Sequence, residues 1–327
     1  MNSKPMSNEQ IERRAKYIAA INVNNYYIEH HGHILPNKPS IIEWHQTVKD
    51  TTIRPTDIWI SGYMKSGNTW LSEIVSLIMA DGVVDRVSNR SISERVPNIM
   101  LAVHVDCNYS WFEGLTDPRI TVNHLSTKYL PRFEGKEGKM IYIMRNPKDV
   151  CVSLYHFHHM MIASIDWHDF CQLFLNGDTI GGDWLSHVTD FWLAYSTGNH
   201  PNVLFVAYEE LIADSAAMIA TIGRFLGKHM TGETVANIAT HCSLSEMRDN
   251  PAANMSDVMT RYGKPGAQFV RKGTIGDWRR HMTDAESALF DERYGQRLQA
   301  LGLPVCDDLA AAERCMRAAT GRIINHV

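Results

Sequence analysis

The chain has 327 residues, of which 44% are hydrophobic and 21% charged, and its formal net charge is −4. This balance excludes a general attraction to nucleic acid or anionic membranes, so any anion site has to be built locally. The six cysteines form no Cys-x-x-Cys pair, which favours reduced thiols in a cytoplasmic protein, and no stretch approaches the roughly 20 apolar residues of a membrane span.

Strand and helix patterns alternate along the chain. Short apolar runs typical of buried parallel strands occupy residues 57–61, 119–122, 140–144 and 203–206. Helical apolar spacing is found at residues 69–80, 148–160, 170–174, 184–195 and 214–226. The alternation predicts a single α/β domain over residues 1–327, with a central parallel sheet covered by helices on both faces. We expect residues 1–20 and 310–327 to be peripheral, and the weakly periodic residues 81–95 and 250–268 to be loops that cover a site.

A glycine-bearing loop follows the first predicted strand, in the run Ser61-Gly62-Tyr63-Met64-Lys65-Ser66-Gly67-Asn68-Thr69-Trp70. Gly62 and Gly67 let the backbone turn tightly, and the amides at the start of the following helix favour an anion. Lys65 adds a positive charge, and Ser66 and Thr69 add hydroxyl donors. Because the lysine precedes Ser-Gly, the run is not a Walker A loop. An ordinary strand-to-helix turn stays open as the alternative.

A second motif begins where the third predicted strand ends, at Arg145. Open α/β sheets bind ligands at this edge, and the planar guanidinium suits two-point binding of a phosphate. Ser153 follows about two helical turns later and can face the same phosphate. The alternative, which this motif alone does not remove, is that Arg145 only pairs with Asp149 and that Ser153 is a packing residue.

A third motif places two cations before a glycine near the C-terminus, at Arg271, Lys272 and Gly273. Side chains and amides of such a turn can wrap a phosphate together. A solvated basic turn is the alternative, since most surface charge pairs contribute little. Asp277 can also simply neutralise a neighbouring cation.

Taken together and in this order, the three motifs resemble those of the cytosolic sulfotransferases, which use 3′-phosphoadenosine 5′-phosphosulfate (PAPS). The family pattern Tyr-Pro-Lys-Ser-Gly-Thr-x-Trp is similar to residues 63–70. The pattern Arg-Asn-x-Lys-Asp-x-x-Val-Ser-x-Tyr-x-Phe matches residues 145–157 at every specified position, and Arg-Lys-Gly-x-x-Gly-Asp-Trp matches residues 271–278. The resemblance therefore extends over most of the chain.

The resemblance implies a role for each matching residue. The 5′-phosphosulfate would be held by Lys65, Ser66, Gly67, Asn68, Thr69 and Trp70. The 3′-phosphate would be held by Arg145, Ser153, Arg271, Lys272 and Gly273. Tyr208 matches a tyrosine that contacts the adenine, and Ser243 stands beside Cys242, which replaces a nucleotide-contacting threonine. His124 matches the catalytic histidine of the family.

Two departures from the family pattern bear on activity and assembly. A lysine that lies two residues before the catalytic histidine in the family is Val122 here, which removes one positive group from the expected site. The C-terminal dimer motif of the family is replaced by a run with Arg279, Thr283, Asp284 and Ala288 at its defining positions. The oligomeric state is therefore left open.

These roles predict transfer of a sulfuryl group from PAPS to a hydroxyl or amine of a small-molecule acceptor, with 3′-phosphoadenosine 5′-phosphate (PAP) as the product. We expect an in-line displacement in which His124 is the general base and Lys65 stabilises charge on the departing oxygen. The alternative is that His124 is only a rim histidine and that Asn123 or a carboxylate does this work. No metal is needed, and neither nucleic acid nor a membrane is expected as a partner.

The acceptor itself is not specified by the motifs. We expect its pocket to be formed by residues 94–111, 160–166 and the stretch around Tyr262, since loops of variable sequence build such pockets. A P-loop kinase or NTPase stays open as a different function, although Gly-Lys-Thr is missing. A non-catalytic nucleotide-binding protein also stays open, because Val122 favours it while Lys65 and His124 argue against it.

Overall fold

The computed structural model describes residues 6–22, 27–30, 33–36, 41–100, 109–196, 200–303, 305–318 and 322–324. Parts of the segments predicted to be peripheral or to form the acceptor pocket lie outside these described residues. They are residues 1–5 and parts of 310–327 at the two ends, and residues 101–108 of the predicted acceptor loop.

The strands form two sheets. A two-stranded antiparallel hairpin consists of β1 (Tyr27–His30) and β2 (His33–Pro36). The larger sheet has four parallel strands in the order β4-β3-β5-β6. Its members are β3 (Ile58–Ser61), β4 (Ile120–Asn123), β5 (Lys139–Met144) and β6 (Val203–Ala207). The four parallel strands predicted from apolar runs are confirmed to within one residue at each end.

Sixteen α-helices are found in the described part of the chain. They are α1 (Asn8–Ile21), α2 (Ile41–Lys49), α3 (Asn68–Met79), α4 (Ile92–Arg95), α5 (Tyr109–Glu113), α6 (Pro147–Met161), α7 (Trp167–Asn176), α8 (Trp184–Tyr195), α9 (Tyr208–Ala213), α10 (Ser215–Phe225), α11 (Gly232–His241), α12 (Leu244–Asp249), α13 (Ser256–Tyr262), α14 (Asp284–Phe290), α15 (Gln296–Ala300) and α16 (Leu309–Ala318). Over these residues, no helix has both the length and the apolar character that crossing a bilayer requires.

The five predicted helices are confirmed, and their ends follow from capping residues. Pro147 occupies the first turn of α6, where its missing N–H is harmless. Asp166 caps the start of α7, and Gly177 ends it in the left-handed conformation, so α7 is longer than the predicted 170–174. The prediction that residues 81–95 and 250–268 are only loops is wrong, because α4 and α13 lie within them. Both helices are too short to show apolar periodicity.

Apolar side chains cover both faces of the larger sheet. Trp59 and Tyr142 point to one face, and the Tyr142 ring packs against Phe191 of α8. Ile60 and Ile143 alternate with them and pack on the opposite face against α3, α10 and α11. The predicted arrangement of helices on both faces of a parallel sheet is confirmed.

The register of the parallel strands decides where the site forms. Ser61 at the end of β3 is paired with Asn123 on one side and with Tyr142 on the other. The three strands therefore end at the same edge of the sheet. The residues that follow them, Gly62, His124 and Arg145, are brought together there, as expected for ligand sites in open α/β sheets.

A fully buried ion pair closes the opposite ends of β3 and β4. Arg119 donates from Nε and Nη2 to Asp57, at 2.7 and 2.5 Å, and both side chains have no exposed surface. Removing one partner of a buried pair leaves an uncompensated charge, which costs about 3–5 kcal/mol.

We predict that Asp57→Asn lowers the free energy of unfolding in urea by about 3 kcal/mol, since Glu113 still pairs with Arg119. Glu12→Gln, which breaks the exposed Lys16–Glu12 pair, should leave the free energy of unfolding in urea unchanged. Equal effects of the two substitutions would contradict this role.

Candidate active site

A cavity of about 1890 Å³ opens at the carboxyl edge of the larger sheet. Ligand pockets usually measure about 300–1,000 Å³, so this volume is enough for two ligands. Twelve of the residues predicted for the site line it, namely Lys65, Gly67, Asn68, Thr69, Trp70, His124, Arg145, Ser153, Tyr208, Arg271, Lys272 and Gly273.

Two predicted residues lie elsewhere than on the cavity wall. Ser66 is fully buried within the loop, and its hydroxyl has no partner among the described residues. Ser243 caps the start of α12, where its Oγ accepts a hydrogen bond from the Glu246 amide at 3.4 Å. Its neighbour Cys242 lines the cavity instead, and the Cys242 carbonyl accepts a hydrogen bond from the Trp70 indole at 2.8 Å.

The loop between β3 and α3 has a backbone that only certain residues allow. Gly67 has a φ of 106°, and a Cβ there would lie 2.7 Å from the Tyr208 ring. Lys65 is also left-handed, with a φ of 66°, which is uncommon for a residue with a side chain and typical of functional sites. This turn exposes the start of α3, whose first amides have no partner within the helix and favour an anion.

The carbonyl oxygens of this loop are bonded to protein donors. Gly62 accepts from Nδ1 of His124 at 2.9 Å, and Lys65 accepts from Nη1 of Arg145 at 3.3 Å. Tyr63 accepts from the Asn68 side-chain amide at 3.0 Å. These three carbonyls are therefore occupied by protein donors, while the Lys65 side chain of the same loop lines the cavity.

His124 is a neutral histidine in a defined tautomer. Burial, together with the charge on Lys65, lowers the pKa of His124 to about 4, although its bond to Gly62 acts in the opposite direction. Since a carbonyl can only accept, Nδ1 carries the proton and Nε2 keeps its lone pair. Asn123 is fully buried and its amide donates to Ser61 and to the Ile60 carbonyl. Asn123 therefore supports the strand ends rather than the cavity.

Lys65 lies between two aromatic rings. Its Nζ is 4.0 Å from the centre of the Phe269 ring and 4.8 Å from that of Phe157. Burial at the cavity wall and the charges of Arg145 and Arg271 lower the pKa of Lys65 to about 7. An anion placed beside this group would favour its charged form.

Arg145 does not depend on Asp149 for its position. The two side chains are 4.0 Å apart, whereas Asp149 accepts hydrogen bonds from the amides of Gly276 and Trp278 at 2.7 and 3.0 Å. Arg145 lies over the Tyr208 ring at 4.3 Å, and its Nε is buried with no partner in the described structure. Asp149 thus fixes the backbone that follows the third motif. Arg145 itself lines the cavity, with Nη1 and Nη2 bonded to the carbonyls of Lys65 and Thr274.

The cations of the third motif are already paired in the free protein. Asp277 accepts hydrogen bonds from Arg271 at 2.8 Å and from Lys272 at 2.7 Å. Although burial acts in the opposite direction, these bonds lower the pKa of Asp277 to about 2. The pairing of Asp277 with neighbouring cations, which the sequence left open as an alternative, is therefore present. It does not remove either cation from the cavity wall.

The site fits a nucleotide that carries phosphate groups. The unpartnered Ser66 hydroxyl and Arg145 Nε are buried donors of the kind that an anion satisfies. The Gly67 backbone approaches the cavity where a side chain would collide with Tyr208. Trp70 and Tyr208 meet edge to face at 5.5 Å and supply the aromatic surface that a purine can contact.

The rest of the cavity wall combines apolar side chains with polar and charged ones. The predicted acceptor segments contribute to it through Met100, Trp111, Ile162 and Tyr262. Phe112, the neighbour of Trp111, does not line the cavity, because it is buried against Trp44 and Trp59.

Sequence reasoning missed several other cavity residues, which are Ala20, Ile21, Ile34, Leu125, Ile180, Gly181 and Phe269. Ala20 and Ile21 lie at the end of α1. The apolar spacing of Ile18 and Ile21 indicates a buried helix face, but it does not show which part of the fold that face contacts.

Known proteins resemble this chain over most of its length. The sulfotransferase domain family matches residues 55–302. Sulfotransferase 1E1 from Bos taurus is 34% identical over 275 residues, which cover 81% of this chain and 91% of that protein. Mouse sulfotransferase SULT7A1, solved in complex with PAP, has a TM-score of 0.67 at 28% identity and covers 90% of this chain and 100% of its own. Retinol dehydratase, solved with retinol and PAP, shares the fold with a TM-score of 0.78 at 22% identity, over 90% of this chain and 96% of its own.

The chain therefore belongs to the sulfotransferase family of enzymes. This confirms the expectation drawn from the three motifs.

The backbone of the phosphate loop gives a direct test of the site. Gly67→Ala adds a Cβ 2.7 Å from the Tyr208 ring at a φ of 106°, a conformation that costs about 1–3 kcal/mol for a residue with a side chain. We predict that calorimetry will show PAP binding weakened by at least about tenfold. Gly232→Ala, where an added Cβ meets open space, is the matched control and should bind like the parent. Unchanged affinity in Gly67→Ala would contradict the loop's role.

Proposed function

We propose that the protein transfers a sulfuryl group from PAPS to a hydroxyl or amine of a small-molecule acceptor, with His124 as the general base and Lys65 as the cationic partner. The observation that carries the proposal is the loop at residues 62–67. Its carbonyls hold His124 and Arg145, and it places Lys65 in the same cavity.

The residues divide between the two ends of the nucleotide. Lys65, Gly67, Thr69 and the start of α3 would hold the 5′ end, with the buried Ser66 hydroxyl beneath them. The 3′-phosphate would be held by Arg145, Ser153, Arg271, Lys272 and Gly273. When bound, PAPS supplies the sulfuryl group, and PAP is the part that leaves.

His124 is suited to remove the acceptor proton. Its neutral form persists well below neutral pH because the pKa of His124 is lowered to about 4. The Gly62 carbonyl fixes the Nδ1 proton, so Nε2 is the atom that receives the acceptor proton. A positioned base of this kind contributes about 10²–10⁴-fold.

Lys65 supplies positive charge where negative charge develops. Its ammonium has aromatic faces on two sides, and no carboxylate among the described residues pairs with it, so an anion would not have to displace a salt bridge there. Val122 also lines the cavity and is 8% exposed, and it carries no charge. The negative charge that develops during transfer is therefore stabilised by Lys65, Arg145 and the amides of α3. We propose that no metal ion takes part.

The acceptor is proposed to be a molecule with a sizeable apolar part. The cavity beside His124 is lined by Met64, Met100, Trp111 and Leu125, among others. Burial of such surface contributes about 25 cal/mol per Å², which favours apolar scaffolds that carry one reactive hydroxyl or amine.

Replacement of His124 tests the base assignment. We predict that His124→Ala lowers kcat for an alcohol acceptor by at least about 10²-fold, while calorimetric affinity for PAP stays nearly unchanged. A group that acts in the transition state lowers kcat and kcat/KM together. In the parent enzyme the acid limb of kcat/KM should lie near the lowered pKa of His124, about 4, because protonation removes the base. The acid limb should be lost in His124→Ala.

An alcohol is the sharper acceptor for this measurement, since a phenol ionises more easily and needs a base less. If His124→Ala sulfated its best alcohol at close to the parent rate, another group would have to be the base.

Arg145 tests the nucleotide orientation. Loss of one charged phosphate contact costs about 1.5–3 kcal/mol, so Arg145→Ala should weaken PAP binding by about one to two decades. AMP lacks the 3′-phosphate, and we predict that its affinity is weaker than that of PAP and little changed by the substitution. Arg317→Ala, which removes an arginine whose side chain is 71% exposed, serves as the control in the same calorimetric series. Equal losses for PAP and AMP would place Arg145 away from the 3′-phosphate.

A further inference from the structure

A second histidine lies directly behind His124. His187, on α8, is 4% exposed and lines the same cavity. Its Nε2 is 3.2 Å from the backbone carbonyl oxygen of His124. Its Nδ1 is 2.9 Å from the hydroxyl of Tyr142, a fully buried residue of β5. The two ring nitrogens of His187 thus connect the core of the sheet to the backbone of His124.

The chemistry of these partners fixes the tautomer of His187. The His124 carbonyl can only accept, so Nε2 of His187 carries the proton and Nδ1 has the lone pair. Burial raises the pKa of the Tyr142 phenol, which therefore stays protonated and donates to Nδ1. With both nitrogens engaged in this way, His187 is not placed to take a proton from an acceptor.

The hydrogen bond from His187 to the His124 carbonyl lies where the chain leaves the sheet. β4 ends at Asn123, so the peptide group between His124 and Leu125 is no longer held by strand pairing. Asn123 accepts a hydrogen bond from the Leu125 amide at 3.2 Å, and His187 donates to the His124 carbonyl. The side chain of His124 is held separately, by Gly62. His187 therefore supplies the main-chain restraint on the oxygen side of this peptide.

We propose that His187 is a positioning residue for sulfuryl transfer, which holds the His124 backbone so that its ring keeps a productive position, and that Tyr142 sets the His187 tautomer. The inference rests on the proposed role of His124 as the base. His187 is itself fixed by packing, since its ring meets Tyr63 edge to face at 5.6 Å and Phe191 at 5.1 Å. A displacement of about 1 Å in a catalytic group can cost about 10²-fold in rate, so a restraint of this kind affects turnover.

The test compares two substitutions of His187 in the full chain. His187→Leu removes the donor to the His124 carbonyl, and we expect kcat to fall about tenfold with no change in the Kd of PAP. His187→Gln carries an N–H donor at a similar distance from the backbone, and it should recover most of the lost kcat. KM for the acceptor is not a criterion here, because His187 also lines the acceptor cavity.

A variant outside the cavity separates positioning from acceptor contact. Tyr142 is not a cavity residue, so Tyr142→Phe should lower kcat several-fold while leaving the acceptor KM and the Kd of PAP unchanged. Tyr195→Phe is the matched control. Tyr195 lies on α8 about two turns beyond His187, and it is 7% exposed and hydrogen-bonds to the Phe133 backbone. This variant should retain the parent kcat. Circular dichroism melts establish that each variant is folded at the assay temperature.

A double substitution shows whether His187 acts through His124. In the His124→Ala background, His187→Leu should cause no further loss of kcat, since residues that act as a unit are not additive. A further tenfold loss there would overturn the positioning role while leaving the base intact. So would a parent-like kcat in Tyr142→Phe, or equal losses in His187→Gln and His187→Leu. If His124→Ala alone retained the parent kcat, the base assignment would fail instead, and the positioning role with it.

Discussion

The backbone carbonyls of Gly62 and Lys65 accept hydrogen bonds from the two side chains that define the site, His124 and Arg145. This is possible because β3 lies between β4 and β5, so that the residues following three strands share one edge of the sheet. It also requires Gly62 itself, since an added Cβ would lie 2.5 Å from the Ile143 carbonyl oxygen. One short loop therefore orients the histidine proposed as the base and the arginine proposed to bind phosphate, and it also supplies Lys65.

The site concentrates positive charge in a protein whose net charge is −4. Lys65, Arg145 and Arg271 are close enough that the two arginines depress the pKa of the lysine. Buried carboxylates hold this cluster together in the free protein. Asp277 pairs with the third motif, and Asp149 binds the amides that follow it. A bound anion would relieve the repulsion among the cations, so the proposed nucleotide site does not need an overall basic surface.

The strands and the three basic motifs could be predicted because each signal is local. A buried strand such as Ile141–Met144 is a continuous apolar run, and Arg145 follows it directly in the sequence. The relations that complete the site join residues far apart in the chain. The bond from Trp70 to Cys242 and that from Tyr142 to His187 depend on tertiary packing. The place of Ser243 also could not be read from the sequence, because a serine beside a nucleotide-binding position and a serine that caps a helix look the same.

Transfer of labelled sulfur from PAPS is the measurement that tests the proposed metal-independent sulfuryl transfer most directly. PAPS radiolabelled in its sulfuryl group would be incubated with the enzyme, a panel of apolar alcohols, phenols and amines, and a metal chelator. We predict that the label appears in an acceptor in equal amount to the PAP released, at a rate that the chelator does not change. Release of the label as inorganic sulfate in the presence of every acceptor, or loss of transfer on chelation, would contradict it.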